Sequence, residues 1–242
     1  MMRFYTPADS KKKFWNLFKI SVISDYKQNI KELVFDESIL LKLRPCHEDY
    51  DEEENFISEQ IEVSKRVVFI GVFDCLKEIH FLQKYPSKKF LLIDVDDSHI
   101  RKVSSLFKNV DFQESSLQEF TPSEGDLIVL NLSEYFLNKK EFKKILSKSE
   151  KIIISNAHIY NSSIKQKIIS ILLELRAFLQ NVLALFFSIR QLQFRGWYRT
   201  LNDYKIMANQ CNLKLERVSF NKKRFKKTIF GNLESAFIFF KK

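Results

Sequence analysis

Residues 65–97 read KRVVFIGVFDCLKEIHFLQKYPSKKFLLIDVDD and predict how the chain folds. Two short runs rich in β-branched and aromatic residues, 67–70 and 90–93, flank a stretch with helical spacing at 76–85. Unbroken apolar strands of this kind are typical of a parallel sheet that is buried on both faces. We therefore expect a strand–helix–strand unit around which the rest of the chain is organised.

Gly71 ends the first run and Asp94 ends the second. In nucleotide-binding sheets the first turn closely approaches the ligand, and an acid after the second strand binds the ribose hydroxyls. The separation of 23 residues is close to the roughly 20 expected for that acid. The turn GVFDC at 71–75 has one glycine where such turns usually have two or three, so a plain turn role for both residues stays open.

Helices and strands alternate through the chain after residue 97. Strands are predicted at residues 110–112, 125–132, 151–155, 213–220 and 233–240, and helices at 98–107, at 139–146 and after a Thr200 cap. This alternation predicts a parallel sheet with right-handed crossovers. A predicted loop at 221–228 joins the last two strands, so the last strand should run antiparallel to its neighbour.

The first 63 residues are expected to form a helical appendage. Two short helices are predicted within 14–43, and a third at 56–63 leads into the first strand. The acidic run at 48–54 is typical of a solvated linker or a helix start. We place the domain boundary near Ser64, between an appendage at 1–63 and the main domain at 64–242.

A long helical stretch is predicted at 164–189, after the fifth strand. Its centre contains Glu174 and Arg176, which argue against a membrane span of roughly 20 apolar residues. Three interpretations stay open: a cap helix over the sheet edge within 164–195, a contact in a homodimer, or a helix on a membrane surface.

Composition limits the class of protein. The formal charge of +10 would favour an anionic partner, but no nucleic-acid recognition motif accompanies it, so we expect solvated lysines and no nucleic acid. Three scattered cysteines predict a reducing compartment, without a disulfide framework or a zinc site, and no other metal site is predicted. Residues 1–16 lack the apolar core of a signal peptide. We expect a cytoplasmic protein, peripheral to the inner face of a membrane if the helix at 164–189 binds lipid.

Four segments together resemble the class I S-adenosylmethionine-dependent methyltransferase family over residues 64–242. They are VVFIG at 67–71, FLLIDVDDS at 90–98, NVDFQESSLQEF at 109–120 and GWYRTLNDYKIMANQCNLKLERVSF at 196–220. The resemblance implies an α/β fold, a three-layer Rossmann-like sandwich. Its seven-stranded sheet is mostly parallel with an antiparallel last strand, N-terminal helices precede it, and a helical insertion follows the fifth strand.

The resemblance also implies S-adenosylmethionine as cofactor. The residues that would bind it are Gly71, Phe73, Asp94, Val95, Ser116 and Leu117. The chain departs from the family pattern because Phe69 stands where an acid is usual, and Phe73 and Cys75 replace glycines. Ser116 replaces an acid, and no Asn/Asp-Pro-Pro-aromatic motif follows the fourth strand.

For the acceptor, His158 is the candidate general base, because its predicted position after the fifth strand lies at the carboxyl edge of the sheet. Tyr135, Trp197 and Tyr198 are candidates for an acceptor pocket. A surface histidine and buried aromatic residues of the core are the structural alternatives.

The predicted function is methyl transfer to a small molecule, a sugar or a lipid-linked glycan. The alternative is an inactive protein of this fold that serves as a binding or scaffold subunit. A nicotinamide-dependent enzyme is a weaker alternative, because G-x-G-x-x-G is absent.

Overall fold

The computed structural model describes residues 6–7, 51–72, 76–94, 98–114, 120–131, 133–134, 137–160, 175, 179, 197–228 and 231–242. The helices predicted within 14–43 lie outside these residues, as does 164–189 apart from 175 and 179. The described strands are β1 (Thr6–Pro7), β2 (Arg66–Ile70), β3 (Lys89–Asp94), β4 (Val110–Glu114), β5 (Asp126–Asn131), β6 (Lys151–Tyr160), β7 (Trp197–Tyr198), β8 (Lys214–Thr228) and β9 (Gly231–Lys241). The described helices are α1 (Asp51–Glu62), α2 (Leu76–Lys84), α3 (Ser98–Leu106), α4 (Lys139–Lys148) and α5 (Leu201–Asn209).

Seven of the strands form one sheet in the order β4-β3-β2-β5-β6-β9-β8. The pairs from β4 to β6 are parallel, and β9 is antiparallel to both β6 and β8. The chain leaves β2 toward β3 on one side and returns to β5 on the other. The predicted mostly parallel sheet of seven strands is therefore confirmed, and its topological switch point lies between β2 and β5.

Helices cover both faces of the sheet, which makes three layers. Alternate strand residues point to opposite faces, so Phe69 packs with α1, α2 and α3 while Ile70 packs with α4 and α5. All four residues of β2 from Val67 to Ile70 are buried. Burial on both faces explains why the parallel strands are continuous apolar runs.

A partly buried ion pair fixes the register of the two central strands. Arg66 and Asp126 are partners in the β2–β5 ladder, and the Arg66 guanidinium donates to both carboxylate oxygens of Asp126, over 2.9 and 2.7 Å. The hydrogen bond to Asp126 raises the pKa of Arg66. A bidentate pair of this geometry is specific as well as strong, so the amino ends of β2 and β5 are held together.

Helix caps fix the starts of α4 and α5, which lie on the same face of the sheet. Asn138 caps α4, and the Glu141 carboxylate accepts from the Asn138 backbone N–H, which completes a capping box. Thr200 caps α5 in the same way with Asp203, as predicted from the sequence. Each box satisfies two backbone N–H groups at a helix start, and this is why the starts of α4 and α5 are sharply defined.

Two predicted boundaries are wrong. The strand predicted at 151–155 continues to Tyr160, because β9 pairs with it through Leu233 and a bulge at Ser155 and Asn156 absorbs one extra residue. Residues 221–228, predicted as a loop, are the second half of β8 and pair with β9. Lysine-rich sequence is compatible with a strand at the edge of a sheet, where charged residues are common.

The helix α1 begins at Asp51, earlier than the predicted 56, so the end of the acidic run is a helix start. Ile57 and Ile61 are completely buried in the same hydrophobic cluster as Val67 and Phe69. The boundary near Ser64 stays a prediction, because residues 8–50 lie outside the described part. Among the described residues, no helix is both long and apolar enough to cross a bilayer.

Phe240→Ala should lower the free energy of unfolding by about 3–5 kcal/mol, since Phe240 is completely buried and its removal leaves a cavity in the core. Phe220→Ala is the matched control on the neighbouring strand; Phe220 is 42% exposed, and its loss should cost less than about 1 kcal/mol. Urea unfolding followed by circular dichroism measures both. Equal losses would mean that β9 is not part of the core.

Candidate functional site

Three strands of the sheet end in residues that converge on the switch point. Gly71 follows β2, Asp94 ends β3 and Asn131 ends β5. Ile70 pairs with both Ile93 and Leu130, so the three residues lie side by side at the carboxyl edge. Ligands of open α/β sheets bind in the crevice outside the carboxyl ends at such a point, and this edge is therefore the candidate site.

The turn at Gly71 accommodates glycine alone. Its φ is +77°, which L side chains rarely adopt, and its N–H donates to the Ile93 carbonyl over 2.9 Å. A Cβ at this position would lie 2.6 Å from Ser133 Cβ and 3.1 Å from the Asn131 carbonyl. The Ser133 hydroxyl in turn donates to the Ile70 carbonyl over 3.0 Å. The chain after β5 thus packs directly against the turn.

Asp94 is in the place predicted from the sequence. It is the last residue of β3, one position past the Ile93 carbonyl that accepts from Gly71, and only 4% of it is exposed. A buried carboxylate needs hydrogen-bonding partners, because burial of an uncompensated charge is costly. Its placement beside the glycine turn is that of a ribose-binding acid, although its role remains a prediction.

Glu78 is a second buried acid at this edge, and the sequence analysis missed it. It lies in the first turn of α2, is 1% exposed, and accepts a long hydrogen bond from the Asn131 side-chain amide over 3.5 Å. The available signal was its position three and four residues before the apolar Phe81 and Leu82, which places an acid on the buried face of α2.

A bulge in β6 brings further polar groups to the same edge. Ser155 pairs with Asn131 and its hydroxyl donates to the Glu53 carboxylate of α1. Asn156 has a φ of 58° and its amide donates to the Ser155 hydroxyl over 3.2 Å. Bulges often lie next to active sites because they redirect side chains. We call Glu53, Glu78, Asn131 and Ser155 the edge cluster.

A buried arginine fixes the chain that follows β5. Arg199 is completely buried, and its guanidinium donates to the carbonyls of Glu134 and Leu137. It lies over the ring of Phe142 at 4.7 Å and that of Tyr204 at 5.8 Å. Cations over aromatic faces are stabilised most when both are desolvated. Arg199 therefore positions the residues that pack against the Gly71 turn.

The structure describes only some of the other predicted site residues. Phe73, Val95, Ser116, Leu117 and Tyr135 lie outside the described residues. The backbone of His158 is in β6 and pairs with Ser235, so its predicted position beyond the fifth strand is wrong.

Trp197 and Tyr198 form β7, which pairs with Thr6 and Pro7. The bridge between Arg199 and Ile159 places β7 beside the carboxyl end of β6. The side chains of His158, Trp197 and Tyr198 lie outside the described part. Within the described part of the chain, no group of three or more His, Cys, Asp or Glu residues could hold a metal ion.

No protein-family model matches the sequence, and no curated protein matches it significantly. The structure is similar to 1,6-didemethyltoxoflavin-N1-methyltransferase of Burkholderia thailandensis, solved with bound 1,6-didemethyltoxoflavin and S-adenosylhomocysteine. Identity is 10%, the TM-score is 0.59, and 98% of this chain and 93% of that chain are covered.

Magnesium protoporphyrin IX methyltransferase of Synechocystis, solved with S-adenosylhomocysteine, is 11% identical at a TM-score of 0.52, with 95% and 99% coverage. A methyltransferase from Methanosarcina mazei is 13% identical at 0.52, with 77% and 96% coverage. The pyocyanin biosynthetic protein PhzM also matches, but this chain spans 53% of its length and the TM-score is 0.46. The expected methyltransferase fold is thus confirmed.

Gly71→Ala should destabilise the protein more than Gly125→Ala, although both glycines have a positive φ. At Gly125 the new Cβ would meet the flexible Lys65 side chain at 2.8 Å. We expect the free energy of unfolding to fall by about 1–2 kcal/mol there, because of the backbone conformation. At Gly71 the overlap with Ser133 should add about 1–3 kcal/mol. Urea unfolding measures the difference, and equal losses would show that Ser133 does not confine the turn.

The variant Tyr204→Phe should lose less of its free energy of unfolding than the parent does as the pH rises into the alkaline range. Burial, reinforced by the charge of Glu134, raises the pKa of Tyr204 well above its ordinary value, although Arg199 lowers it. The folded protein keeps this proton above about pH 10 while the unfolded chain releases it, so Tyr204 stabilises the fold fully below that pH. Stability then falls by about 1.4 kcal/mol for each further pH unit.

Urea unfolding at about pH 10 and pH 11 compares the parent, Tyr204→Phe and the partly exposed control Tyr85→Phe. The control should keep the slope of the parent. A Tyr204→Phe variant with an unchanged slope would mean that Tyr204 ionises in the folded state.

Proposed function

We propose that the protein transfers a methyl group from S-adenosylmethionine to a small-molecule, sugar or lipid-linked glycan acceptor. The observation that supports it most is the buried Asp94 beside the glycine turn at the switch point. Proteins with this fold include methyltransferases solved with S-adenosylhomocysteine. The sequence and the fold therefore indicate the same cofactor.

Asp94 would accept hydrogen bonds from both ribose hydroxyls, and a carboxylate makes such bonds stronger than neutral acceptors do. Phe73, Val95, Ser116 and Leu117 would line the rest of the nucleoside site. The buried Glu78 carboxylate and the Asn131 side chain would face the ammonium group of the methionine part. When bound, the cofactor supplies an electrophilic methyl group attached to a sulfonium.

The acceptor would occupy the other half of the carboxyl edge, over β5 and β6. Methyl transfer needs mainly alignment of the acceptor with the methyl group, which is a matter of proximity and orientation. Tyr135, Trp197 and Tyr198 would position the acceptor. His158 would take the proton of an acceptor hydroxyl.

A cytoplasmic location, a homodimer and a membrane contact through 164–189 belong to this proposal. Leu175 and Leu179 support a contact there, because both are helical and about half exposed. A pair of leucines spaced by four residues lies on one face of a helix. An apolar face of this kind suits either a lipid surface or a second copy of the chain.

One observation favours the alternative of an inactive binding or scaffold subunit. Phe69, at the position of the usual acid, is 2% exposed and stacks between Phe81 and Phe90, at centroid distances of 5.8 and 6.1 Å. The usual acid is therefore replaced by an aromatic residue of the core. The buried acid Glu78 could substitute for it, and a binding experiment decides between the two functions.

Isothermal titration calorimetry with S-adenosylhomocysteine tests the proposed function. The parent should bind, Asp94→Asn should bind about 10- to 100-fold more weakly through the loss of charge-assisted hydrogen bonds, and Glu78→Gln should bind about tenfold more weakly. Asp111→Asn, on the exposed part of β4, is the matched control and should bind like the parent. His158→Ala should also bind like the parent, because His158 is assigned to the acceptor.

A parent protein that gives no heat at millimolar ligand would overturn the methyltransferase proposal and favour the scaffold function. Normal binding by Asp94→Asn would overturn the assignment of the ribose acid. Normal binding by Glu78→Gln would remove Glu78 from the cofactor site.

A further inference from the structure

The second half of β8 is a positively charged arm. Residues 221–228 read NKKRFKKT, and five of these eight residues are Lys or Arg. Their backbone pairs with β9, with Lys226 opposite Leu233 and Thr228 opposite Gly231. Among the described strands β8 is the outermost of the sheet, so the arm has one described neighbouring strand, β9. We call residues 221–228 the basic arm.

The basic arm lies at the same edge of the sheet as the candidate site. Leu233 of β9 pairs both with Lys226 of the arm and with Tyr160, the last residue of β6. The pairs from Lys227 to Thr228 therefore extend beyond the carboxyl end of β6. Since β6 is parallel to β5 and β2, the arm projects past the edge that contains Gly71 and Asp94.

The hairpin that contains the basic arm has an excess of positive charge. The opposing residues 231–234 read GNLE and contain one acid, so the hairpin has five basic residues and one acid, a net charge of +4. Lys222, Lys223 and Arg224 are consecutive in the sequence. Several positive charges within one short strand favour a large anionic surface over a single anionic side chain.

Three exposed apolar side chains belong to the arm's own strand or to a connection that starts at the same edge. Phe220, at the base of the arm, is 42% exposed, and Leu175 and Leu179 are 53% and 52% exposed. Both leucines belong to the connection between β6 and β7. That connection leaves β6 at Tyr160, and the chain returns beside Ile159 at Arg199. The two ends of this connection therefore lie at the edge from which the basic arm projects.

We propose that the basic arm docks the carboxyl edge of the protein on an anionic lipid bilayer. Polybasic segments bind anionic lipid electrostatically, and neighbouring apolar side chains insert at the headgroup boundary. A nucleic acid would also bind the charges. Proteins that bind single strands use aromatic side chains that stack on the bases, whereas Leu175 and Leu179 are aliphatic. Docking would turn the candidate site toward the membrane. This inference does not require methyl transfer.

Sedimentation with phosphatidylcholine vesicles, with and without phosphatidylserine, tests the proposal on the full chain. The variant Lys222→Gln/Lys223→Gln/Lys226→Gln/Lys227→Gln removes four charges from the arm. The control Lys89→Gln/Lys108→Gln/Lys148→Gln/Lys242→Gln removes four exposed charges elsewhere. The two variants have the same net charge, so a difference between them reports the position of the charges.

The parent should bind the vesicles that contain phosphatidylserine, and added salt should weaken this binding. Each charge removed from the arm should weaken binding roughly fivefold, which corresponds to about 1 kcal/mol per charge. The control should lose much less. Leu175→Gln/Leu179→Gln should reduce the binding that persists at high salt. Circular dichroism of each variant verifies that it is folded.

Three results would overturn the proposal. The first is a parent that stays wholly in the supernatant with anionic vesicles. The second is an equal loss in the arm variant and the control, which would assign any binding to the overall charge. The third is a parent that binds an RNA oligonucleotide through the arm but does not sediment with the vesicles.

Discussion

The contact between the turn at Gly71 and the chain that follows β5 holds the carboxyl edge of the sheet together. The turn has no room for a Cβ, because Ser133 lies against it and donates to the Ile70 carbonyl. The carbonyls of Glu134 and Leu137 in turn accept from the guanidinium of Arg199, the residue before the capped start of α5. A ligand site at this edge thus depends on three segments far apart in sequence. Each is fixed by hydrogen bonds to backbone carbonyls, whose positions do not depend on side-chain rotamers.

Three charged groups at this edge are buried. Asp94, Glu78 and Arg199 are all at least nine-tenths buried. Burial of a charged group costs free energy unless hydrogen bonds or opposite charges compensate it, so a protein selected for stability alone would favour apolar residues there. At the amino edge, the pair of Arg66 and Asp126 fixes the register of two strands. The buried charged groups at the carboxyl edge are a physical reason to locate function there.

The succession of strands along the chain and the position of Asp94 could be predicted from the sequence, because burial on both faces makes each parallel strand a continuous apolar run. Glu78 was overlooked although its spacing from Phe81 and Leu82 places it on the buried face of α2, and Arg199 gave no comparable signal. Hydrophobic periodicity treats a charged residue as exposed, whereas the partners that stabilise these two are brought close only by tertiary structure. The length of β6 was underestimated because its extension depends on pairing with β9 across a bulge. Residues 221–228 were taken as a loop because five charges masked a strand whose pairing is set by its partner.

The position of β9 has a consequence for how the protein is made. β9 lies between β6 and β8, yet it follows both of them in the chain. During synthesis the growing chain contains β2 to β6 before the strand that covers the open side of β6 has emerged. Unpaired strand edges are templates for association with other chains. The buried residues of β9, from Ser235 to Phe240, should then be the part whose late insertion ends this exposure. The sheet would then be completed by a strand that lies between two strands made earlier, β6 and β8.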